Sequence, residues 1–250
     1  MKFTVCTDSV LSNLPTAEAV KATAKYGYDV EFWSWWDKDM DAVAKASRET
    51  GVKIIAFCTK FVSLTDPAKR SEYLCGLKET LAACKKTDTK MIVSQIGNDN
   101  GRPRAEQRQS VIDGLKAAAP LLEKEKTVLV FEPLNLSDHP GSYLTSSAEA
   151  AAIADAVGSA NVKILFDIYH QQITEGNIIR NCLKYIDKIG HIHCAGNPGR
   201  HELDKGEINY TEIFKALDVA GYNGYAGLEF WPSENASGVL NLSGLAQNFA

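Results

Sequence analysis

Short apolar runs alternate along the chain with longer runs in which apolar residues recur every three or four positions. Runs of the first kind predict strands and runs of the second kind predict amphipathic helices. The predicted strands are KFTVCT, DVEFW, KIIAFCT, KMIVSQI, TVLVFEP, VKILFDI, GHIHCAG and YAGLEFW. The predicted helices between them are TAEAVKATAKYGY, DAVAKASRET, SEYLCGLKETLAACKK, RAEQRQSVIDGLKAAAPLLEKE, SSAEAAAIADAV, IIRNCLKYIDKI and YTEIFKALDVAGY.

Strands that alternate with helices form a parallel sheet, and strands that are apolar throughout are typical of a sheet covered on both faces. A closed (β/α)₈ barrel and an open doubly wound sheet both satisfy this pattern. Eight units in 250 residues is the usual size of the barrel. No GxGxxG motif follows the first strand, as a dinucleotide-binding sheet would require. We therefore predict an α/β protein with a single (β/α)₈ TIM-barrel domain over residues 1–250.

Charge and composition exclude several classes of protein. The net charge of −4 argues against a surface that binds duplex nucleic acid, which needs a clustered basic face. No apolar run approaches the roughly 20 residues of a membrane span, and MKFTVCTDSV reads as a strand rather than a signal peptide. We expect a cytoplasmic protein that binds neither nucleic acid nor a membrane, with a homo-oligomer left open. The six cysteines include no CxxC pair and are interpreted as buried free thiols, with a catalytic thiol at Cys194 as the alternative.

Acidic and histidine side chains stand at the ends of four consecutive predicted strands, namely Glu132, Asp167, His193 and Glu229. The carboxyl ends of barrel strands meet at one rim, so these side chains are expected to lie together. A single acid at a strand end is often a helix cap or an ion-pair partner. No Lys or Arg stands at these four strand ends, however, and three unpaired carboxylates would repel one another or take up protons. We predict one divalent cation there, with Mn²⁺, Mg²⁺ or Co²⁺ suiting the oxygen-rich ligands better than structural zinc does.

Other polar and aromatic residues near the strand ends are candidates for contacts with substrate. Strand alternation places His191 and His193 on one face, and the inner one, His191, is interpreted as a hydrogen-bonded interior histidine. His170 follows strand six and either contacts a substrate oxygen or is an ordinary loop histidine. The tryptophans after strand two could wall a pocket together with Trp231, or form an oligomer contact. Those three tryptophans are Trp33, Trp35 and Trp36.

Five segments in a fixed order resemble hydroxypyruvate isomerases: FEPLN, FDIYHQQITEGN, KIGHIHCAGNPGR, GEINY and YNGYAGLEFWP. These enzymes belong to the xylose isomerase-like barrel superfamily, together with ketose 3-epimerases and endonuclease IV. The resemblance is dense from Val128 to Pro232. It implies a (β/α)₈ barrel whose single divalent ion is held by the four strand-end residues named above. It further implies that Glu132 and Glu229 transfer protons and that His170 and Arg200 contact the substrate.

Such a site would run enediolate chemistry on a small hydroxy-keto acid or a ketose. A bound cation acidifies the C–H beside a carbonyl, one carboxylate removes that proton, and a second group returns it. Return to the neighbouring carbon is isomerisation, as in the conversion of hydroxypyruvate to tartronate semialdehyde, for which Arg200 would bind the substrate carboxylate. Return to the same carbon is epimerisation of a ketose, and His193 resembles the epimerases. A non-catalytic or complex-forming metal-binding barrel is a further alternative. A DNA-repair nuclease fits poorly with five histidines and a negative net charge.

Overall fold

Eight parallel strands close into a barrel at the centre of the molecule. The computed structural model describes residues 1–233. Each strand pairs with the next along the chain, and the last strand pairs with the first. This confirms the predicted α/β TIM barrel, whereas the single domain over residues 1–250 stays a prediction. The strands are β1 Lys2–Cys6, β2 Asp29–Phe32, β3 Ile54–Cys58, β4 Met91–Gln95, β5 Val128–Glu132, β6 Val162–Asp167, β7 Ile189–Cys194 and β8 Tyr225–Leu228.

Helices connect the strands, and the described residues contain all seven that the sequence predicted. They also contain two α-helices and a 3₁₀-helix, Pro67–Lys69, that the sequence did not predict. None of the helices within residues 1–233 is long and apolar enough to cross a membrane. The α-helices are α1 Thr7–Val10, α2 Thr16–Ala24, α3 Met40–Thr50, α4 Arg70–Thr87, α5 Arg104–Glu125, α6 Ser147–Val157, α7 Ile168–Thr174, α8 Ile178–Lys184 and α9 Tyr210–Val219.

The additional helices α1 and α7 start immediately after strands β1 and β6, where the sequence predicted loops. In α7 the Asp167 carboxylate caps the first turn by accepting a hydrogen bond from the Tyr169 backbone N–H at 2.8 Å. A carboxylate at this position satisfies backbone donors that would otherwise have no partner, so a helix can begin without a loop. The predicted helix from Ile178 was too long, because it ends at Lys184 and Ile189 already belongs to β7.

Alternation along the strands sorts side chains between the barrel interior and the surrounding helices. Phe131 and Phe166 are buried in the apolar layers that include side chains of the surrounding helices. Their neighbours Val130 and Leu165 belong to a small separate apolar cluster. Glu132 and Asp167 come two residues after these small-cluster side chains and therefore point in the same direction, into the barrel. A polar side chain therefore reaches the barrel mouth only if it occupies an inward-facing position of its strand.

Candidate active site

The carboxyl ends of the strands open into a cavity of about 620 Å³. Its volume is in the range usual for pockets that bind small molecules. Acidic, basic and aromatic side chains from several strands and their following loops line it, so the wall carries both charge and apolar surface. Of the residues that the sequence singled out, the lining includes Trp33, Glu132, His170, His193, Arg200, Glu229 and Trp231.

Four of the predicted residues form one compact cluster. Glu132 and Asp167 end β5 and β6, His193 lies near the end of β7, and Glu229 directly follows β8. One ligand atom of each side chain lies within 4.8 Å of those of the other three. All four side chains are buried. The structure therefore brings together the residues that the sequence grouped, while their role as metal ligands stays a prediction.

The two glutamates of the cluster differ in their affinity for a proton. Burial, reinforced by the charge of Glu229, raises the pKa of Glu132 to about 8. Burial would also raise the pKa of Glu229, but Arg200 and His193 outweigh it and hold that pKa well below its usual range. Among the described residues, Glu132 Oε1 has no hydrogen-bond partner. Of the two glutamates, Glu132 is therefore the one whose ionised form its neighbours stabilise less.

A guanidinium does reach the cluster, although no Lys or Arg stands at the four strand ends and the carboxylates were expected to be unpaired. Arg200 Nη2 lies 3.2 Å from Asp167 Oδ2 and also donates a hydrogen bond to Glu229 Oε2. The loop after β7 brings it there, because the chain turns back and Trp231 N–H donates to the Arg200 carbonyl at 2.8 Å. The sequence named Arg200 as a contact to substrate, but it did not predict that this residue, seven positions beyond His193, pairs with the carboxylates themselves.

His170 is held as a neutral donor beside the cluster. Burial lowers the pKa of its imidazole to about 4. Its Nδ1 lies 2.6 Å from the side-chain amide of Asn135. With Nδ1 accepting from that amide, the ring proton is on Nε2, which lies 3.5 Å from Asp167 Oδ2 and 3.9 Å from Glu132 Oε1. The imidazole can therefore donate toward an oxygen near these two carboxylates.

Two tryptophans wall the cavity, and two others do not. Trp33 donates from Nε1 to Glu229 Oε1, and its ring meets that of Trp231 edge-on at 5.8 Å. Trp35 and Trp36 are absent from the lining. Trp35 donates to Thr80 Oγ1 on α4, and Trp36 packs edge-on against Phe61, itself a lining residue. The predicted aromatic wall is thus made by Trp33 and Trp231.

Glu31 is the main residue of the site that sequence reasoning missed. It lies on β2 and is buried, with Oε2 2.7 Å from His191 Nε2 and Oε1 3.1 Å from His193 Nε2. His191 is thus a buried, hydrogen-bonded interior histidine, in agreement with its interpretation. The available signal was one acidic residue inside the otherwise apolar run VEFW. Asp138 and His139 also line the cavity, but they lie in a loop that gave no such signal.

The cysteines near the site are not activated. Cys6 and Cys58 line the cavity, and burial together with the nearby carboxylates raises the pKa of both thiols well above the usual value. Burial likewise raises the pKa of the fully buried Cys194, which argues against a catalytic thiol there. One cysteine departs from the expected burial, because Cys75 lies on the outer face of α4 and is exposed.

A model of the xylose isomerase-like TIM barrel family matches residues 20–242. The chain belongs to this family. Hydroxypyruvate isomerase of Escherichia coli is 36% identical over 175 residues, which cover 70% of this chain and 68% of that protein. 2-Oxo-tetronate isomerase of Cupriavidus necator is 39% identical over 137 residues, covering 55% and 53%. The predicted relationship to hydroxypyruvate isomerases, and with it the prediction of an isomerase, is confirmed.

Solved structures share the whole barrel. The crystal structure of an AP endonuclease, family 2, from Brucella melitensis is similar with a TM-score of 0.90 and 25% identity, covering 93% of this chain and 94% of that one. D-Psicose 3-epimerase from Clostridium cellulolyticum, solved with D-tagatose, has a TM-score of 0.79 and 21% identity, covering 92% and 85%. At that identity the likeness to the epimerase shows a common fold alone.

The burial of the thiols predicts their reactivity. In the native protein at pH 8, we expect Ellman's reagent to modify one thiol rapidly, at Cys75, because the other five cysteines are buried. All six should react once the protein is unfolded in guanidinium chloride. The variant Cys75→Ser should show no rapid phase. A rapid phase that persists in Cys75→Ser would contradict the burial of the other thiols.

Proposed function

We propose that the chain is a divalent-metal-dependent isomerase of small 2-oxo-3-hydroxy acids. Its simplest substrate would be hydroxypyruvate, converted through an enediolate to tartronate semialdehyde. The observation that carries the proposal is the buried cluster of three carboxylates and His193 beside a guanidinium at the barrel mouth. Two relatives named above are isomerases of hydroxypyruvate and 2-oxo-tetronate, and both substrates are 2-oxo acids that carry a hydroxyl on the next carbon.

The donor set fits a hard divalent cation. Glu132, Asp167 and Glu229 offer carboxylate oxygens and His193 offers one imidazole nitrogen, which is the composition that Mn²⁺, Mg²⁺ or Co²⁺ prefers. The buried Glu132 Oε1 lacks a hydrogen-bond partner among the described residues, as expected of an oxygen reserved for a cation. When bound, such an ion polarises a carbonyl and stabilises negative charge on the neighbouring oxygens.

Glu132 and Glu229 are the proposed proton-transfer groups. They come from β5 and from the end of β8, so they approach the cavity from different strands. One carboxylate would remove the proton from the hydroxyl-bearing carbon, and the other would deliver a proton to the former carbonyl carbon. Trp33 holds Glu229 through its indole N–H, which limits the orientations of that carboxylate. Positioned general bases and acids of this kind typically contribute about 10²- to 10⁴-fold in rate.

Arg200 is the proposed anchor for the substrate carboxylate, and His170 the proposed donor to a substrate oxygen. The guanidinium lines the cavity, and Nη2 is engaged by Asp167 and Glu229. Its side chain keeps 17% of its surface exposed, so an incoming carboxylate can reach the guanidinium from the cavity. The ring of Tyr169 lies 5.1 Å from the guanidinium carbon and supports it from one side.

A ketose 3-epimerase is the second candidate, and the size of the cavity favours it. A volume of about 620 Å³ exceeds what a three-carbon acid fills and would admit a longer sugar. His193 supports the same alternative through its resemblance to the epimerases. Both reactions begin with the same proton abstraction. The two candidate functions differ in the substrate, which carries a carboxylate in the isomerase reaction and no charge in the epimerase reaction.

A substrate panel tests the proposal directly. With Mn²⁺ or Mg²⁺ added, we expect turnover of hydroxypyruvate or a longer 2-oxo-3-hydroxy acid to exceed that of uncharged C4 to C6 ketoses. EDTA should abolish the activity while the circular dichroism of the barrel persists. Unfolding on removal of the metal would instead support a structural ion in a non-catalytic barrel. Faster turnover of ketoses, with the C3 epimer as product, would favour the epimerase.

Replacing either glutamate of the cluster by glutamine should lower turnover by about 10²-fold or more. Glutamine keeps the shape of the side chain but cannot accept a proton at neutral pH. The measurement is kcat for Glu132→Gln and Glu229→Gln at saturating metal, with circular dichroism to verify the fold. Glu18→Gln, an exposed change on α2, is the matched control and should match the unchanged protein. Near-normal kcat in either cluster variant would remove that residue from the proton-transfer role.

Arg200→Ala should reduce kcat/KM for hydroxypyruvate about ten- to a hundred-fold more than for an uncharged ketose. A charge-assisted hydrogen bond to a carboxylate is worth roughly 1.5–3 kcal/mol, and only the acid loses it. Arg180→Ala, an exposed change on α8, is the control and should affect neither substrate. Equal losses on charged and uncharged substrates would rule out Arg200 as the carboxylate anchor, while leaving the enediolate mechanism in place.

A further inference from the structure

Glu31 has no part in the chemistry proposed above, yet it is a carboxylate buried against His193 of the cluster. Its side chain is almost fully enclosed within the barrel. A buried carboxylate without partners is strongly disfavoured, so what it contacts indicates why it is there. Both of its oxygens face imidazoles: Oε2 is hydrogen-bonded to His191 Nε2 at 2.7 Å, and Oε1 lies 3.1 Å from His193 Nε2, a close contact in which the N–H is not aligned on the oxygen.

The other ring nitrogen of His193 points toward the cluster. His193 Nδ1 lies 3.0 Å from Glu229 Oε2, whereas Nε2 faces Glu31. An ionised carboxylate only accepts hydrogen bonds, and both ring nitrogens of His193 face one, so a cation bound to one nitrogen leaves the proton on the other. Nδ1 is then the nitrogen whose lone pair can face a cation among Glu132, Asp167 and Glu229. A carboxylate that fixes the tautomer of a ligating histidine in this way is common in metalloenzymes.

The neighbouring strand leaves room for this contact. Gly227 on β8 stands beside His193 in the strand register. A Cβ built on Gly227 would lie 2.1 Å from Glu31 Oε1 and 2.8 Å from His193 Cδ2, so any larger residue would displace the pair. Glycine in the middle of a strand weakens it and often marks a close approach by another group. Here that approach is made by the Glu31 carboxylate.

We propose that Glu31 is a positioning residue that holds His193 with its Nε2–H directed at Glu31 and its Nδ1 directed at the cation. The inference rests on the proposed function, since it takes the Glu132, Asp167, His193 and Glu229 cluster as the metal site. In this proposal Glu31 is not itself a ligand of the cation. It acts through the orientation and protonation of one ligand.

The first measurement is the affinity of the metal-free protein for Mn²⁺, determined by isothermal titration calorimetry. Glu31→Gln should weaken binding about 10- to 100-fold, the usual effect of removing such a partner of a ligand. His191→Gln is the matched control, because it changes the other partner of Glu31 and keeps an amide donor for Oε2. It should bind Mn²⁺ within about threefold of the unchanged protein. Equal affinity in Glu31→Gln, or two Mn²⁺ ions per chain, would overturn the proposal, the latter because Glu31, His191 and His193 would then form a second metal site.

The second measurement needs no metal. In ¹H–¹⁵N spectra of the metal-free protein, His193 Nε2 should carry a proton with a downfield, hydrogen-bonded resonance that shifts upfield in Glu31→Gln. An unprotonated Nε2 in the unchanged protein, or an Nε2 resonance that does not move in Glu31→Gln, would overturn the contact. This holds whatever the metal affinity of that variant. If the unchanged protein bound no divalent ion, the proposed function would fail. The Nε2 resonance would still decide whether Glu31 holds His193.

Discussion

Negative charge packed into a closed space is the constraint on which the site depends. Glu132, Asp167 and Glu229 are buried at the barrel mouth, and the buried Glu31 lies against His193 beside them. Two unit charges about 4 Å apart interact by roughly 4 kcal/mol at the effective dielectric constant of a protein near its surface. The sum of several such repulsions would be comparable to the whole free energy of unfolding of an ordinary domain, which is about 5–15 kcal/mol. The cluster can therefore exist only with positive or proton-bearing partners, which Arg200, His193 and His191 provide.

These partners come from a single segment of the chain. His191 and His193 lie on β7, and Arg200 lies in the loop that follows it. That loop turns back over the mouth because Gly196 N–H donates to the His201 carbonyl at 2.7 Å and Trp231 N–H donates to the Arg200 carbonyl. Arg200 itself takes a left-handed backbone conformation with φ of 55°. A non-glycine residue in that region is uncommon, and such strain is typical of functional sites. The carboxylates come from four other strands of the barrel, and this one segment carries the histidines and the arginine that offset their negative charge.

The sequence predicted the barrel and the four-residue cluster because both follow from periodicity. Strand alternation and βα order place Glu132, Asp167, His193 and Glu229 at one rim without knowledge of any contact. Three kinds of feature were beyond it. Arg200 was predicted to contact substrate, but its ion pairs with Asp167 and Glu229 depend on a loop whose path is set by tertiary hydrogen bonds. Glu31 sits inside a strand rather than at its end, and α7 begins where a loop was expected because the Asp167 carboxylate also caps it.

The partners that offset the negative charge are distributed unevenly among the carboxylates, and this distribution indicates how a substrate would be oriented. Arg200 pairs with Asp167 and Glu229, whereas Glu132 Oε1 has no hydrogen-bond partner among the described residues. The nearby His170 adds no positive charge at neutral pH, since burial lowers its pKa to about 4. The remaining demand for a cation is therefore greatest at Glu132, and the guanidinium of Arg200 is the cationic group that lines the cavity. A 2-oxo-3-hydroxy acid carries the matching pair of groups, a carboxylate for the guanidinium and adjacent oxygens for a cation. An uncharged ketose would satisfy only the second of these demands, which is why the acid is the substrate that this arrangement of charges favours.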